Sequence, residues 1–355
     1  MKVIRTQTPE IKTISEVNFP EPSSFTLDNG IKVNAFNLGS QDAVQIELIF
    51  TVSRNEGKNP LVAKAVNEII GEASSTKGPG ILNEAIDFHG AFLESTYSID
   101  HSSVSLFTLT KKLADVLPLF EEVVLDAVFP QREVDIYLTN SKQKFTVNQE
   151  KVDTLVRRLY SQKLYGDHYY SGRTELSHFD EVKATDLAKF YEDFYTASNC
   201  NIIVCGKFDN SLFENLNKSF GKMPIGKLSE INKPILTSES GKYFHEKEGA
   251  IQSGIRVSKL IDVTYGSNEY FKLKILNTVL GGYFGSRLMS NIREDKGYTY
   301  GIGSNESYMK NACAFSIATE VGADVTTYTL EEVYKELNRL SGGMIPVEEL
   351  DVVKN

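Results

Sequence analysis

Two stretches of this 355-residue chain echo each other at an offset of 207 residues: His89-Gly-Ala-Phe-Leu-Glu-Ser95 and Lys296-Gly-Tyr-Thr-Tyr-Gly-Ile302. The echo continues in order. Phe120-Glu-Glu-Val123 parallels Leu330-Glu-Glu-Val333, and Pro130-Gln-Arg-Glu-Val-Asp135 parallels Pro346-Val-Glu-Glu-Leu-Asp351. A period near 200 residues is a domain and not a solenoid repeat. The pattern predicts an α+β protein of two homologous sandwich domains. Residues 1–220 form the first, 221–240 a linker marked by Gly221, Pro224, Gly226 and Pro234, and 241–355 the second. The first copy continues into a long helix where the second stops, so the second copy reads as truncated.

Local patterns fill in this outline. Phe25–Val33 carries an Asn29-Gly30 hairpin turn. Val44–Val52 reads as a strand, followed by a turn at Arg54–Gly57. Pro60 suits the first turn of a helix whose apolar face is Leu61, Val62, Ala65, Val66, Ile69, Ile70 and Ala73. A helix over 82–88, two strands over 91–109, and helices over 112–128, 133–165 and 183–195 follow. Asn201–Cys205 is a short buried strand.

The segment 279–304, VLGGYFGSRLMSNIREDKGYTYGIGS, is the richest in chemistry. Ser286–Glu294 reads as a short helix with Leu288, Met289 and Ile292 at helical spacing. Gly297 sits where a left-handed residue ends a helix, and Tyr298, Tyr300 and Ile302 begin a strand-like alternation. Arg293 and Tyr300 lie seven apart across that turn, so they can converge. A guanidinium fork with a phenol suits gripping a peptide carbonyl or the oxyanion formed when it is attacked. The plainer reading gives Arg293 a surface ion pair and Tyr300 a place in strand core.

This segment resembles the C-terminal-domain signature of the pitrilysin/insulysin-type zinc peptidases, the family that includes the mitochondrial processing peptidase. The shared positions are Leu280-Gly281-Gly282, Phe284, Ser286-Arg287-Leu288, Ile292-Arg293-Glu294, Gly297 and Tyr300. The resemblance implies that Arg293 and Tyr300 contact substrate opposite a zinc site, with Gly281, Gly282 and Phe284 as candidate substrate-binding positions. It also implies a His-x-x-Glu-His helix in the first half, whose two His hold zinc while the Glu activates water. That helix, Val62–Glu72, contains no His. None of His89, His101, His168, His178 and His245 fits the motif, and Lys142-Gln-Lys-Phe145 stands where a third ligand is expected. His178-Phe-Asp-Glu181 is a decoy, since Val182 follows, and reads as a helix lead-in. The Gly281-Gly282-x-x-Gly285 cluster lacks the further residues of a phosphate loop or a dinucleotide site and reads as a close-packing device.

The resemblance therefore implies a non-catalytic subunit that binds no zinc itself. It would pair with a zinc-bearing homologous subunit, lend Arg293 and Tyr300 to that site, and enclose extended peptides. A purely structural subunit, similar to the core proteins of respiratory cytochrome bc complexes, is a second reading, and a peptide-binding homodimer a third. A net charge of −9 argues against nucleic acid or an anionic membrane surface as partner. Cys200, Cys205 and Cys313 make no disulfide framework. No apolar run approaches the roughly 18 residues of a membrane span, and the N-terminus MKVIRTQTPEIK has no apolar leader core. As written the chain reads as cytoplasmic; a leader removed before residue 1 would make it periplasmic.

Overall fold

The computed structural model describes residues 16–52, 59–229 and 240–354. The turn expected at Arg54–Gly57 and half of the expected linker, 230–239, lie outside these residues. The chain opens with an antiparallel pair, β1 (Ser23–Thr26) and β2 (Lys32–Asn37), in which Thr26 faces Lys32. Its loop is wider than the sequence suggests. Leu27 N–H donates to Ile31 O across it, Gly30 takes φ +90°, and the Asn29 amide reaches away to the carbonyls of Phe220 and Met223. Asn29 thus ties the hairpin to a later helix end.

Strand β3 (Ala43–Phe50) follows, then helices α1 (Val62–Ile69) and α2 (Ile81–Phe88). A hairpin of β4 (Phe92–Tyr97) and β5 (Ser102–Leu109) leads through a tight turn at Thr110–Lys112 into α3 (Leu113–Leu125) and α4 (Gln131–Gln149). The expected helix over 133–165 is broken at Glu150-Lys151, where α5 (Val152–Tyr165) starts afresh. Short α6 (His178–Glu181) precedes α7 (Ala184–Phe194), so the decoy histidine does stand in a lead-in. Strand β6 (Cys200–Gly206) and α8 (Ser211–Phe220) complete this half.

The first sheet has the order β1-β2-β6-β3-β5-β4. Its pairs are antiparallel except β2 with β6, since the long helical excursion between them returns the chain in the same direction. Period-two alternation decides which residues go inside. Val44, Ile46, Leu48 and Phe50 of β3, with Ile202 and Val204 of β6, pack against α1, α3, α7 and α8 in one large core. Glu47 and Gln45 fall on the opposite face.

The second half is leaner. Strand β7 (Gln252–Ile261) is followed by α9 (Asn268–Asn277), which widens into a π-helical turn over Thr278–Gly282. A second π-helical segment, Met289–Asp295, leads to the hairpin β8 (Ile302–Met309) and β9 (Ala312–Gly322). A turn at Ala323–Val325 then enters α10 (Thr326–Gly342), and α11 (Val347–Lys354) follows. The sheet order is β7-β9-β8. Its core holds Leu280, Leu288, Met289, Ile292, Ile302, Ile317 and Val333.

Helix α5 joins the halves: by chain order it belongs to the first, yet it packs on β7. Gly254 makes that approach feasible, because a Cβ there would lie 2.7 Å from Val156 Cγ1. Arg256 pairs with Asp153 beside it. A second joint centres on Asp100, at the tip of the β4–β5 hairpin. Its carboxylate accepts from Tyr169 Oη at 3.0 Å and Tyr170 Oη at 2.9 Å, and from the Lys310 backbone N–H at 2.8 Å in the turn joining β8 to β9. The two hairpin tips therefore meet on one buried carboxylate.

Candidate functional site

The candidate site is built on the glycine-rich turn and the segment after it. Helix α9 ends by widening into a π turn, and the helix of Arg293 widens too: Lys296 N–H donates to Asn291 O five residues back, at 3.0 Å. Such widenings recur at functional sites because they re-aim side chains out of helical register. The expected helix over 286–294 is therefore present, but wound wider than its α-type spacing predicts. Leu288, Met289 and Ile292 are its buried apolar residues, as their periodicity requires. Gly297 takes φ +67°, the left-handed conformation expected of it.

Gly281 is buried against β8. A Cβ there would lie 2.5 Å from the Ser304 backbone nitrogen and 3.0 Å from Leu288 Cδ1. Its absence lets the π turn press onto the strand, the close-packing role read from the sequence. Gly282 and Phe284 lie at the surface, and Phe284 is 64% exposed. The Arg293 guanidinium stacks over the Phe284 ring with its carbon 4.5 Å from the centroid, and Arg293 Nε lies 3.5 Å from Glu294 Oε1. Phe284 and Arg293, nine residues apart, form one platform.

Tyr300 overturns the strand-core reading. Strand β8 begins only at Ile302, and the Tyr300 side chain is 96% exposed. Its hydroxyl has no hydrogen-bond partner among the described residues. Thr299 anchors the segment instead: its hydroxyl donates to Glu320 O at 2.7 Å and accepts from Gly301 N–H at 3.1 Å. Tyr300 is thereby held out from a pinned backbone. Among the described residues no bond joins Arg293 to Tyr300; Tyr300 is open to solvent and Arg293 partly so.

Arg287, also part of the signature, does something the sequence did not reveal. It grips Glu349 of α11 with two bonds, Nε to Oε1 at 2.8 Å and Nη2 to Oε2 at 2.7 Å. These bonds hold the Glu349 carboxyl below its usual range. On the same side Asn291 donates to Glu332 and Glu336 of α10, at 2.9 and 2.8 Å. These contacts seat the π segment on the last two helices and do not involve Arg293.

In the first half, the residues present do not fit zinc. Helix α1 exposes Lys64 and Glu68 and draws Asn67 inward, where its amide donates to Ser103 O at 3.1 Å. On α4, Lys142 pairs with Asp180 at 2.6 Å. Among the described residues no group of three or more His, Cys, Asp and Glu side chains is arranged to hold a metal ion. His89 closes α2, and the Nδ1 atoms of His168 and His178 each accept a nearby backbone N–H. No described helix is long and apolar enough to cross a membrane.

Comparison with known proteins finds relatives of this chain. Residues 181–355 match the family described as the peptidase M16 inactive domain. An uncharacterized zinc protease of Bacillus subtilis, YmxG, is 24% identical over 333 residues, covering 92% of this chain and 80% of that protein. The fold is shared with the crystal structure of a peptidase M16 inactive domain from Pseudomonas fluorescens, at TM-score 0.87 and 22% identity over 94% of this chain and 82% of that one. It is shared too with a Helicobacter pylori protease structure, at TM-score 0.85 and 18% identity over 95% and 83% of the respective chains. Residues 181–355 are thus a peptidase M16 inactive domain.

Proposed function

We propose that this chain is the non-catalytic, substrate-binding subunit of a heterodimeric zinc peptidase, and that it lends Arg293 and Tyr300 to a zinc site on a homologous partner. The observation that carries the reading is Tyr300, an aromatic side chain 96% exposed and seven residues along the chain from Arg293, which itself sits over the exposed Phe284 ring. A large ring in water gains nothing for the fold, and exposed aromatics are what a ligand covers. The zinc is assigned to the partner because α1 and α4 offer no ligand set. Arg293 and Tyr300 would hold a peptide carbonyl, with Phe284 and Gly282 as the floor beneath it and Gly281 shaping that floor.

The reading includes two homologous halves, an architecture supported by element order. β3, α1, α2, the β4–β5 hairpin, a tight turn, α3 and α4 are followed by β7, α9, the Arg293 segment, the β8–β9 hairpin, a tight turn, α10 and α11. Gly90 and Gly297 take left-handed φ of +69° and +67° at the same place in each series. Two such lobes would form one side of a chamber for extended peptides.

The test is reconstitution with a zinc-bearing homologue. The expected result is a complex that cleaves unfolded peptides and loses turnover on Tyr300→Phe, while the isolated chain holds no stoichiometric zinc. One tightly bound zinc per isolated chain, with chelator-sensitive cleavage, would overturn the proposal. So would a Tyr300→Phe complex of full activity, which points to a structural subunit.

A further inference from the structure

The chain around Tyr300 is held by two threonines whose counterparts in the first half are apolar. There β4 pairs with β5 from Phe92 onward, just after the left-handed Gly90. In the second half the pairing of β8 with β9 waits until Ile302, well past the left-handed Gly297. The offset of 207 residues that relates the two glycines sets Thr299 against Phe92 and Tyr300 against Leu93. Leu93 packs against the large core of its half, whereas Tyr300 stands in solvent. The partner strands compare in the same way. Ser95 faces Val104, and its counterpart Ile302 faces Thr319. Hydroxyls thus stand at Thr299 and Thr319 where the first half has Phe92 and Val104.

Those hydroxyls hold the chain where the ladder stops. Thr319 is buried in β9, and its Oγ1 lies 2.9 Å from both Gly301 O and Thr299 Oγ1. Thr299 Oγ1 gives its proton to Glu320 O at 2.7 Å and accepts the Gly301 N–H at 3.1 Å. A hydroxyl carries one proton and two lone pairs, so Thr299 can accept from Gly301 and Thr319 together. Both polar groups of Gly301 are therefore met by threonine side chains, and Tyr300 sits between the two residues so clamped.

We propose that Thr319 is a positioning residue for Tyr300: from β9, through Thr299 and Gly301, its hydroxyl sets the backbone that presents the ring to a peptide substrate. The proposal rests on the reading of Tyr300 as a substrate contact given above. Thr319 itself touches no substrate, since its side chain is buried.

The test uses the full chain reconstituted with a zinc-bearing homologue and carrying Thr319→Val or Thr319→Ser. Valine keeps the branched shape that suits β9 and loses the hydroxyl, whereas serine keeps the hydroxyl. Thr319→Val is expected to lower kcat about tenfold with KM changed less than about twofold, as for a group whose aim matters in the transition state. Thr319→Ser should recover most of that loss. Combined with Tyr300→Phe, Thr319→Val should remove little more, because both act through one side chain. Thr299→Val, nearer the surface, should give the same pattern if the β9 variant fails to fold. In the isolated chain, Thr319→Val should speed amide exchange over 299–302 and leave 312–322 protected. Full turnover for Thr319→Val beside an impaired Tyr300→Phe would overturn the positioning role alone. Losses that multiply in the double variant would overturn it too, because Thr319 would then act on the fold and not through Tyr300. Full turnover for Tyr300→Phe would instead overturn the substrate contact, and this role with it.

Discussion

The Arg293 guanidinium sits over Phe284, its carbon 4.5 Å from the ring centroid. A cation held over a ring keeps its edge donors free for a third group. The ring also fixes where those donors point. An unstacked arginine would have to be ordered when substrate arrives, at a cost in side-chain entropy of about 1–2 kcal/mol.

Removing the platform should therefore resemble a weaker form of removing the arginine. In the reconstituted complex, Arg293→Ala and Tyr300→Phe are expected to lower turnover about 10²-fold or more, the usual cost of a lost transition-state donor. Phe284→Ala should lower it less, about tenfold. All three side chains are wholly or partly exposed, so thermal unfolding of the isolated chain should shift little. Equal turnover for wild type and Phe284→Ala would show that the stack does not organise Arg293.

Gly281 sets the distance between the π turn and β8. An added methyl at Gly281→Ala would meet the Ser304 backbone at 2.5 Å, and strand backbone cannot yield cheaply. Overpacking of this kind costs about 1–3 kcal/mol. Denaturant melts should show that loss, and hydrogen exchange should rise in 302–309. At Gly303 the nearest contact of an added Cβ is 3.4 Å, so Gly303→Ala is the milder control.

Asp100 couples the halves through hydrogen bonds spanning 210 positions in sequence. Asp100→Ala would leave the Lys310 N–H and the Tyr170 hydroxyl short of their shared acceptor, the buried Tyr170 donor alone worth about 1–3 kcal/mol. We expect a clear loss in global stability and faster exchange at both hairpin tips, 98–101 and 309–312. A melt unchanged within about 0.5 kcal/mol would show that α5 alone carries the coupling.

Glu122 gives the molecule an acid-sensitive contact. Burial pushes its carboxyl up, but hydrogen bonds from Lys77, Ser74 and Thr76 outweigh burial and hold it at about 2. Its folded value lies below the 4.5 of a free glutamate, so its contribution to stability is fully present above pH 4.5. That contribution fades as pH falls from there toward about 2. Glu122→Gln should flatten the acid limb of the stability curve, measured by urea melts from pH 6 downward, and loosen the 74–80 loop.

Much of the fold was legible because periodicity reports burial directly. The alternation of β3 and the apolar faces of α1 and α3 follow from one core-facing side, and the left-handed Gly297 from its place after a helix. The signature around Arg293 was equally legible as a pattern of residue types. Local sequence did not carry the fate of Tyr300, which alternation put inside a strand. The β8 ladder starts two residues later, and Thr299 turns the backbone first.

What the sequence determined by itself, then, is whatever depends on near neighbours: element types, the helix end at Gly297, the family signature, and a helix over Val62–Glu72 without histidine. Tertiary structure alone decided which distant groups meet. Arg287 finds Glu349 across 62 positions, Asp100 finds Lys310 across 210, and α5 leaves its own half to lie on β7. The physical reason is that a buried carboxylate or a strand edge is satisfied by whatever the folded backbone brings within about 3 Å, and sequence separation does not enter that condition.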